Sequence, residues 1–291
     1  MGADMIPNGV VDVDGVLMPS SDAKISVFDR GFLYGDSAFE AMRTYGGRPH
    51  HGRRHIERLA RSCERLRIVM PISHDALASR TAAAIARTGL SECYLRLVVT
   101  RGKGSMGLDL QPVMQSSLLI YALALSLPDQ SVYRDGIGAG LVQVQRVTDL
   151  NPATGAKTSN YLASLLALDD VKRRGLQEAI ILGARGEVLE GATSNVFAVR
   201  AGELHTPPTS AGILEGITRH VVLELAASLG IACHERELVP DDLLGADEVF
   251  LTSSIRELVP IVRVEQTPIA SGTPGPVFAE LLAAYRRHAL L

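Results

Sequence analysis

Apolar positions along this chain recur with two different periods, and the change of period marks its elements. Within residues 52–68, Ile56, Leu59, Ala60, Cys63 and Leu66 follow the three-and-four spacing of one helix face. Similar patterns predict helices over 73–88, 160–174, 217–229 and 276–289. Short β-like runs predict strands at 9–12, 24–28, 93–100, 117–126, 138–145, 179–182, 195–199 and 248–252. Helices and strands mix in both halves, so the fold class is α/β or α+β. The segment 127–136 is polar, holds a proline and ends in glycine. It predicts a linker between an N-terminal domain, 1–126, and a C-terminal domain, 137–291. No repeat period or low-complexity tract is visible.

Composition narrows the function class. A net charge of −3 gives no electrostatic drive toward nucleic acid or acidic membranes, which favours small-molecule chemistry. The opening residues lack the basic-then-apolar order of a secretion signal. The long uncharged stretch 110–128 contains glutamines, serines and two prolines, so it reads as a strand with flanking loops and not as a membrane span. Cys63, Cys93 and Cys233 have neither disulfide nor metal spacing, and the eight histidines do not converge. The expectation is a cytoplasmic protein with no metal.

Candidate chemistry begins at Lys157, one of only four lysines. It is the sole charged residue between Asp149 and Asp169. Apolar surroundings favour the neutral form of an amine, which attacks aldehydes. A lysine extending from a helix start into water fits the same residues. Gly212-Ile-Leu-Glu-Gly-Ile-Thr-Arg219 leads into a predicted helix, and the N–H groups of Ile217 and Thr218 with the Thr218 hydroxyl suit a phosphate. An ordinary capped helix start explains them equally. Thr252-Ser253-Ser254 offers hydroxyls at a strand end, and Glu190 precedes a polar turn that re-enters an apolar strand. A carboxylate there suits a pyridine nitrogen, or simply a solvated hairpin.

Taken together, Lys157-Thr-Ser-Asn-Tyr-Leu, Glu190-Gly-Ala-Thr-Ser-Asn-Val-Phe, Gly216-Ile-Thr-Arg and Thr252-Ser-Ser resemble the class IV aminotransferases in order and approximate spacing. These are the pyridoxal-5′-phosphate (PLP) enzymes of fold type IV. Phe28-Asp-Arg-Gly-Phe-Leu-Tyr-Gly-Asp-Ser-Ala-Phe-Glu40 and His55-Ile-Glu-Arg-Leu59 extend the resemblance, which runs from about residue 8 to about residue 265. It implies a smaller N-terminal α/β domain, a larger C-terminal pseudo-barrel-like domain, cofactor in the cleft between them, and a homodimer. Lys157 then carries PLP as a Schiff base and moves the α-proton. Arg58 clamps the phosphate with Ile217, Thr218, Ser253 and Ser254, while Glu190 faces the pyridine nitrogen. Tyr161 contacts the phenolic oxygen, although its gap from the lysine is one residue shorter than in some relatives.

The implied reaction is ping-pong transfer of an amino group between amino acids and 2-oxo acids. Tyr34-Gly35, Phe39-Glu-Ala-Met-Arg43 and Cys93-Tyr-Leu-Arg96 resemble the branched-chain amino-acid transaminases. Tyr34, Phe39 and Tyr94 then form an apolar pocket, and Arg43 or Arg96 binds the distal carboxylate of glutamate or 2-oxoglutarate. A strand arginine facing solvent is the other reading of Arg96. Two features depart from that branch. Leu97 replaces a proline common there, and Arg101-Gly with Lys103 resembles the D-amino-acid transaminases, where an arginine traps the α-carboxylate. Branched-chain transfer is the first expectation; D-amino-acid or (R)-amine transfer is the alternative. Aminodeoxychorismate lyase activity is a second alternative.

Overall fold

The computed structural model describes residues 7–110, 115–144 and 153–290. Parts of the expectations fall outside them: the opening six residues, 111–114 of the uncharged stretch, Gln145 of an expected strand, and Asp149 upstream of Lys157. The chain divides into two units, residues 1–126 with 156–160, and 127–155 with 161–291.

The first unit is built on β1 (Gly9–Val13), β2 (Val16–Pro19), α1 (Arg30–Tyr34), β3 (Ser37–Tyr45), β4 (Arg48–Pro49), α2 (Gly52–Arg65), α3 (His74–Thr88), β5 (Cys93–Thr100) and β6 (Ser117–Ala124). Its six-stranded sheet runs β2-β1-β6-β5-β3-β4, with every pairing antiparallel. In β5, Cys93, Leu95, Leu97 and Val99 alternate inward and pack with Leu59 and Cys63 of α2 and Leu77, Ala84 and Ile85 of α3. Burying each such leucine contributes about 1.5–3 kcal/mol. Tyr94, Arg96 and Val98 therefore face the other way, on the side of the sheet free of α2 and α3.

The second unit carries α4 (Gln130–Asp135), β7 (Ile137–Gln143), α5 (Leu162–Arg173), β8 (Glu178–Leu182), β9 (Val188–Gly191), β10 (Asn195–Arg200), β11 (Glu203–Thr206) and α6 (Ile217–Ser228). There follow β12 (Cys233–Glu235), α7 (Pro240–Leu244), β13 (Glu248–Ser253), β14 (Glu257–Val264), β15 (Thr267–Pro268) and α8 (Pro276–Ala289). A mixed nine-stranded sheet runs β12-β11-β10-β13-β14-β7-β8-β9, with β15 on β14. Phe197 and Phe250, cross-strand partners on β10 and β13, stack at 5.2 Å in a core shared with Val221 and Val222 of α6 and Leu281 and Tyr285 of α8. Ala167 and Val171 of α5 pack with Ala179 and Ile181 of β8.

Three expectations change. Residues 24–28 form no strand: Ile25, Val27 and Phe28 are exposed, and the chain turns where Asp29 N–H donates to the Ser26 carbonyl. The segment 127–136 is not a bare linker. It carries α4, whose start is capped by the Asp129 carboxylate and whose Tyr133 is buried in the second unit's core. Residues 156–160, assigned by sequence to the C-terminal domain, belong to the first unit because they pair with β3. Among the described residues no helix is long and apolar enough to cross a membrane.

Candidate active site

Lys157 is held by its backbone from two sides. Its carbonyl accepts from Phe39 N–H at 2.9 Å, and its own N–H donates to Ser62 Oγ of α2 at 3.1 Å. Thr158 bridges Ala38, and Ser37 Oγ and Ser159 Oγ lie 2.7 Å apart. The start of β3 thus fixes the lysine segment through an isolated antiparallel bridge and its flanking hydrogen bonds. Gly35 sits so close that a Cβ there would lie 2.3 Å from Asn160 Oδ1, and its φ of 65° also requires glycine. Lys157 Nζ stands 4.6 Å from the centroid of the Phe39 ring.

The same ring carries Arg96, whose Cζ lies 3.8 Å from its centroid. Phe39 on β3 and Arg96 on β5 are diagonal neighbours, since Arg96 pairs with Ala41 and Phe39 with Val98. Among the described residues Arg96 has no carboxylate partner. Tyr121, directly across from Arg96 on β6, completes this face. Burial raises the Tyr121 phenol pKa while the Arg96 charge opposes the rise. The strand pattern through 117–124 was visible in the sequence, but nothing there singled out Tyr121.

Other expected pocket residues have partners of their own. Arg43 is directed along β3 toward Glu92, with Nη2 3.9 Å from Oε2 and Cζ 4.2 Å from the Tyr45 ring centroid. It stands four positions from Phe39, about 13 Å along the strand, and is turned toward Glu92 and not toward the Phe39 ring. Tyr94 is half-buried and pairs with Arg43. Tyr34 OH accepts from Gly107 N–H at 3.0 Å, and its ring lies beneath Arg30. Arg101 corrects an expectation outright. It bonds Asp36 through Nε and Nη2, and Nη2 and Nη1 also donate to the Leu66 and Arg67 carbonyls at 2.8 and 2.7 Å. A guanidinium so occupied is a structural clamp rather than a carboxylate trap.

On the opposite face of the first sheet, Glu40 meets α2. His55, Arg58 and Ser62 share one helix stripe. Arg58 gives Nε to Glu40 Oε1 and Nη2 to Oε2, both at 2.7 Å, and His55 Nδ1 lies 2.7 Å from Oε2. Glu40 and His55 are fully buried and Arg58 is nearly so. Burial is the strongest influence on the Glu40 carboxyl and pushes its pKa up. The Arg58 charge and the hydrogen bonds of Arg58 and His55 together outweigh it and bring the pKa down to about 2. An ionised Glu40 can only accept, so His55 Nδ1 carries the proton it shares. The spacing of Glu40 against His-x-x-Arg signalled this cluster only weakly.

In the second unit, Glu190 on β9 accepts from Leu214 N–H at 3.2 Å, and Asn195 Nδ2 donates to the Leu214 carbonyl at 2.9 Å. This grip sets the approach to α6. Gly216 is the N-cap and makes no side-chain cap, and a Cβ there would lie 1.9 Å from Asn195 Oδ1. Ile217 and Thr218 open the helix buried and uncapped. Thr252, paired with Asn195 on β13, has a buried Oγ1 with no hydrogen-bond partner among the described residues, as does Ser194 Oγ. Ser253 Oγ accepts from Arg256 N–H at 3.3 Å, and Ser254 follows in the turn to β14. Tyr161 occupies the N-cap position of α5.

The amino-transferase class IV family model matches residues 37–264, from β3 to the end of β14. The chain belongs to the class IV aminotransferases. A putative branched-chain-amino-acid aminotransferase of Methanocaldococcus jannaschii is 38% identical over 276 residues, covering 94% of each chain. The solved branched-chain amino acid aminotransferase of Escherichia coli is 31% identical with a TM-score of 0.92, covering 96% of this chain and 94% of that one. Another solved branched-chain amino acid aminotransferase, complexed with N-(5′-phosphopyridoxyl)-L-glutamate, is 29% identical with a TM-score of 0.91, covering 98% and 95%. A phosphopyridoxyl group fits the donors of this class IV aminotransferase. The uncapped α6 amides beside a glycine and the unpartnered Thr252 hydroxyl suit a phosphate, and Glu190 suits a protonated ring nitrogen.

Proposed function

We propose that this aminotransferase carries PLP on Lys157 and transfers the amino group of a branched-chain L-amino acid to 2-oxoglutarate. The observation that carries the substrate reading is the Phe39 ring, approached by both Lys157 Nζ and Arg96. An aliphatic side chain packs on such a ring, and a cation without an acid partner among the described residues suits a second carboxylate. Both partners of the exchange are thereby accepted at one amine. Arg101 supports no D-amino-acid reading, because Asp36 and two carbonyls occupy it. The names of the relatives agree with this choice.

PLP supplies an aldehyde that takes up amines and a ring that accepts the electrons released when an α-proton leaves. On this reading Lys157 would hold the cofactor through Nζ and, once the substrate amine replaced it there, would move the α-proton. Arg58 in the first unit would be a phosphate ligand, as would the N–H groups of Ile217 and Thr218 and the hydroxyls of Thr218, Ser253 and Ser254 in the second. Glu190 would keep a proton on the ring nitrogen, and Tyr161 OH would meet the phenolic oxygen. Tyr94 and Tyr34 line the side-chain pocket. Arg96, in place of Arg43, takes the distal carboxylate, and a second 2-oxo acid completes the ping-pong cycle.

A homodimer belongs to the same reading. Leu162, Leu165 and Leu166 of α5 are exposed by 68%, 61% and 61%, an apolar strip of the kind that a second subunit covers. The cysteines are free thiols, in keeping with a cytoplasmic setting.

The test is the absorbance of PLP-loaded protein mixed separately with L-leucine and D-alanine. Loss of the lysine-bound cofactor band with L-leucine is expected. Loss with D-alanine alone overturns the substrate assignment, and a band that persists in Lys157→Ala overturns the cofactor assignment.

A further inference from the structure

We propose that Glu40 is the positioning residue for Arg58, holding the guanidinium by its Nε–Nη2 edge so that its orientation toward the cofactor phosphate is set before the cofactor arrives. The inference rests on the reading of Arg58 as a phosphate ligand. Electrostatics alone argues against placing a carboxylate here. Glu40 neutralises the cation that phosphate is meant to meet and repels a phosphate dianion. Two opposed effects follow from its removal: a gain for phosphate through lost repulsion, and a loss through lost orientation.

The geometry says which dominates. Both Glu40 oxygens accept from Arg58 at 2.7 Å, a two-point fork that fixes the guanidinium plane as well as its place. His55 Nδ1 at 2.7 Å gives the carboxylate a third donor, and no part of Glu40 or His55 reaches solvent. Arginine side chains otherwise sample many rotamers, so a fixed plane spares the ordering that phosphate binding would have to impose. Ser62, one turn along the α2 stripe, accepts from Lys157 N–H. A single helix face therefore orients the phosphate arginine and steadies the lysine backbone, and Glu40 registers that face against β3.

The experiment measures dissociation constants of the cofactor-free protein for PLP and for pyridoxal, which lacks the phosphate, by absorbance titration. Glu40→Gln removes the charge and offers one accepting oxygen in place of two. It is expected to weaken PLP binding about tenfold or more and pyridoxal binding by less than about twofold. Glu40→Asp retains the charge but is one methylene too short for the fork. It is expected to shift PLP in the same direction, and it decides the matter alone if Glu40→Gln does not fold. Unchanged or tighter PLP binding in the folded variants overturns the proposal, as does an equal loss for pyridoxal. Arg58→Ala separates the two layers. If it retains the preference for PLP over pyridoxal, the phosphate role of Arg58 has failed. If it loses that preference while both Glu40 variants retain it, only the positioning role of Glu40 has failed.

Discussion

Arg101 and Asp36 form a two-point ion pair, with Nε 2.6 Å from Oδ2 and Nη2 2.9 Å from Oδ1. Arg30 Nε joins the same Oδ2 at 3.1 Å, so one carboxylate ties α1 and the end of β5 to the start of β3. Arg101 also reaches the carbonyls that follow α2. Removing Arg101 leaves Asp36 with Arg30 as a remaining charge partner, but it strips two charge-assisted bonds from the carboxylate and the donors from the Leu66 and Arg67 carbonyls. Arg101→Ala is therefore expected to lower unfolding stability by about 2–3 kcal/mol, measured by urea denaturation. A variant of unchanged stability with a raised KM would instead return Arg101 to the substrate.

Arg96 makes the opposite case, a cation over an aromatic face with no acid partner among the described residues. Arg96→Leu keeps apolar bulk near Phe39 and deletes the charge. The loss of a charge-assisted bond predicts a fall of roughly 10- to 100-fold in kcat/KM for 2-oxoglutarate. The half-reaction with L-leucine should change by less than about threefold, because burial of an aliphatic side chain needs no cation. Stopped-flow measurement of the two half-reactions separates them. Equal losses in both would remove Arg96 from distal carboxylate recognition.

Local pattern revealed the helices well because α2, α3 and α6 each bury one face and expose another. It missed β3, where Glu40 and Arg43 interrupt a run buried on both sides and erase the alternation. Motif spacing singled out Lys157, Glu190 and the start of α6, since backbone demands at Gly216 leave a mark in the sequence. The roles of the arginines were not legible. Arg43, Arg96 and Arg101 look alike in sequence, and only the folded contacts show that Glu92 draws Arg43, Asp36 holds Arg101 and Arg96 lies over Phe39. The same limit hid Tyr121, which matters through its cross-strand position beside Arg96.

Acid should weaken the fold through the Glu40 cluster. Burial lowers the His55 pKa below its ordinary 6.5 although Glu40 pulls upward, so the folded protein refuses a proton that the unfolded chain accepts. That contribution is whole above about pH 6.5 and declines as pH falls. Glu40 adds a second stage. Its carboxyl stays ionised to about pH 2 when folded but protonates near 4.5 when unfolded, so its stabilisation is present above about 4.5 and lost on approach to 2. The unfolding free energy should therefore fall between about pH 7 and 5, and His55→Gln should flatten this slope. Identical slopes for both proteins in urea titrations would show that His55 is not held neutral.

Glu257 tests whether strain shapes the turn that carries Ser253 and Ser254. Its φ is 60°, a left-handed backbone that penalises any Cβ, and its carboxylate accepts from Arg286 Nε of α8 at 2.7 Å. Arg286 in turn lies 4.9 Å from the Tyr133 ring centroid, and Tyr133 OH donates to the Arg256 carbonyl at 3.2 Å. Glu257→Ala and Glu257→Gly both delete the tie to Arg286, but only glycine accepts the backbone angle freely. The glycine variant is expected to be the more stable of the two by about 1 kcal/mol, read from denaturation midpoints. It should also keep the PLP affinity closer to that of the parent, because the turn retains its path. Were alanine the more stable, the ordinary helix-and-strand preference against glycine would be governing this position and no strain would be stored there.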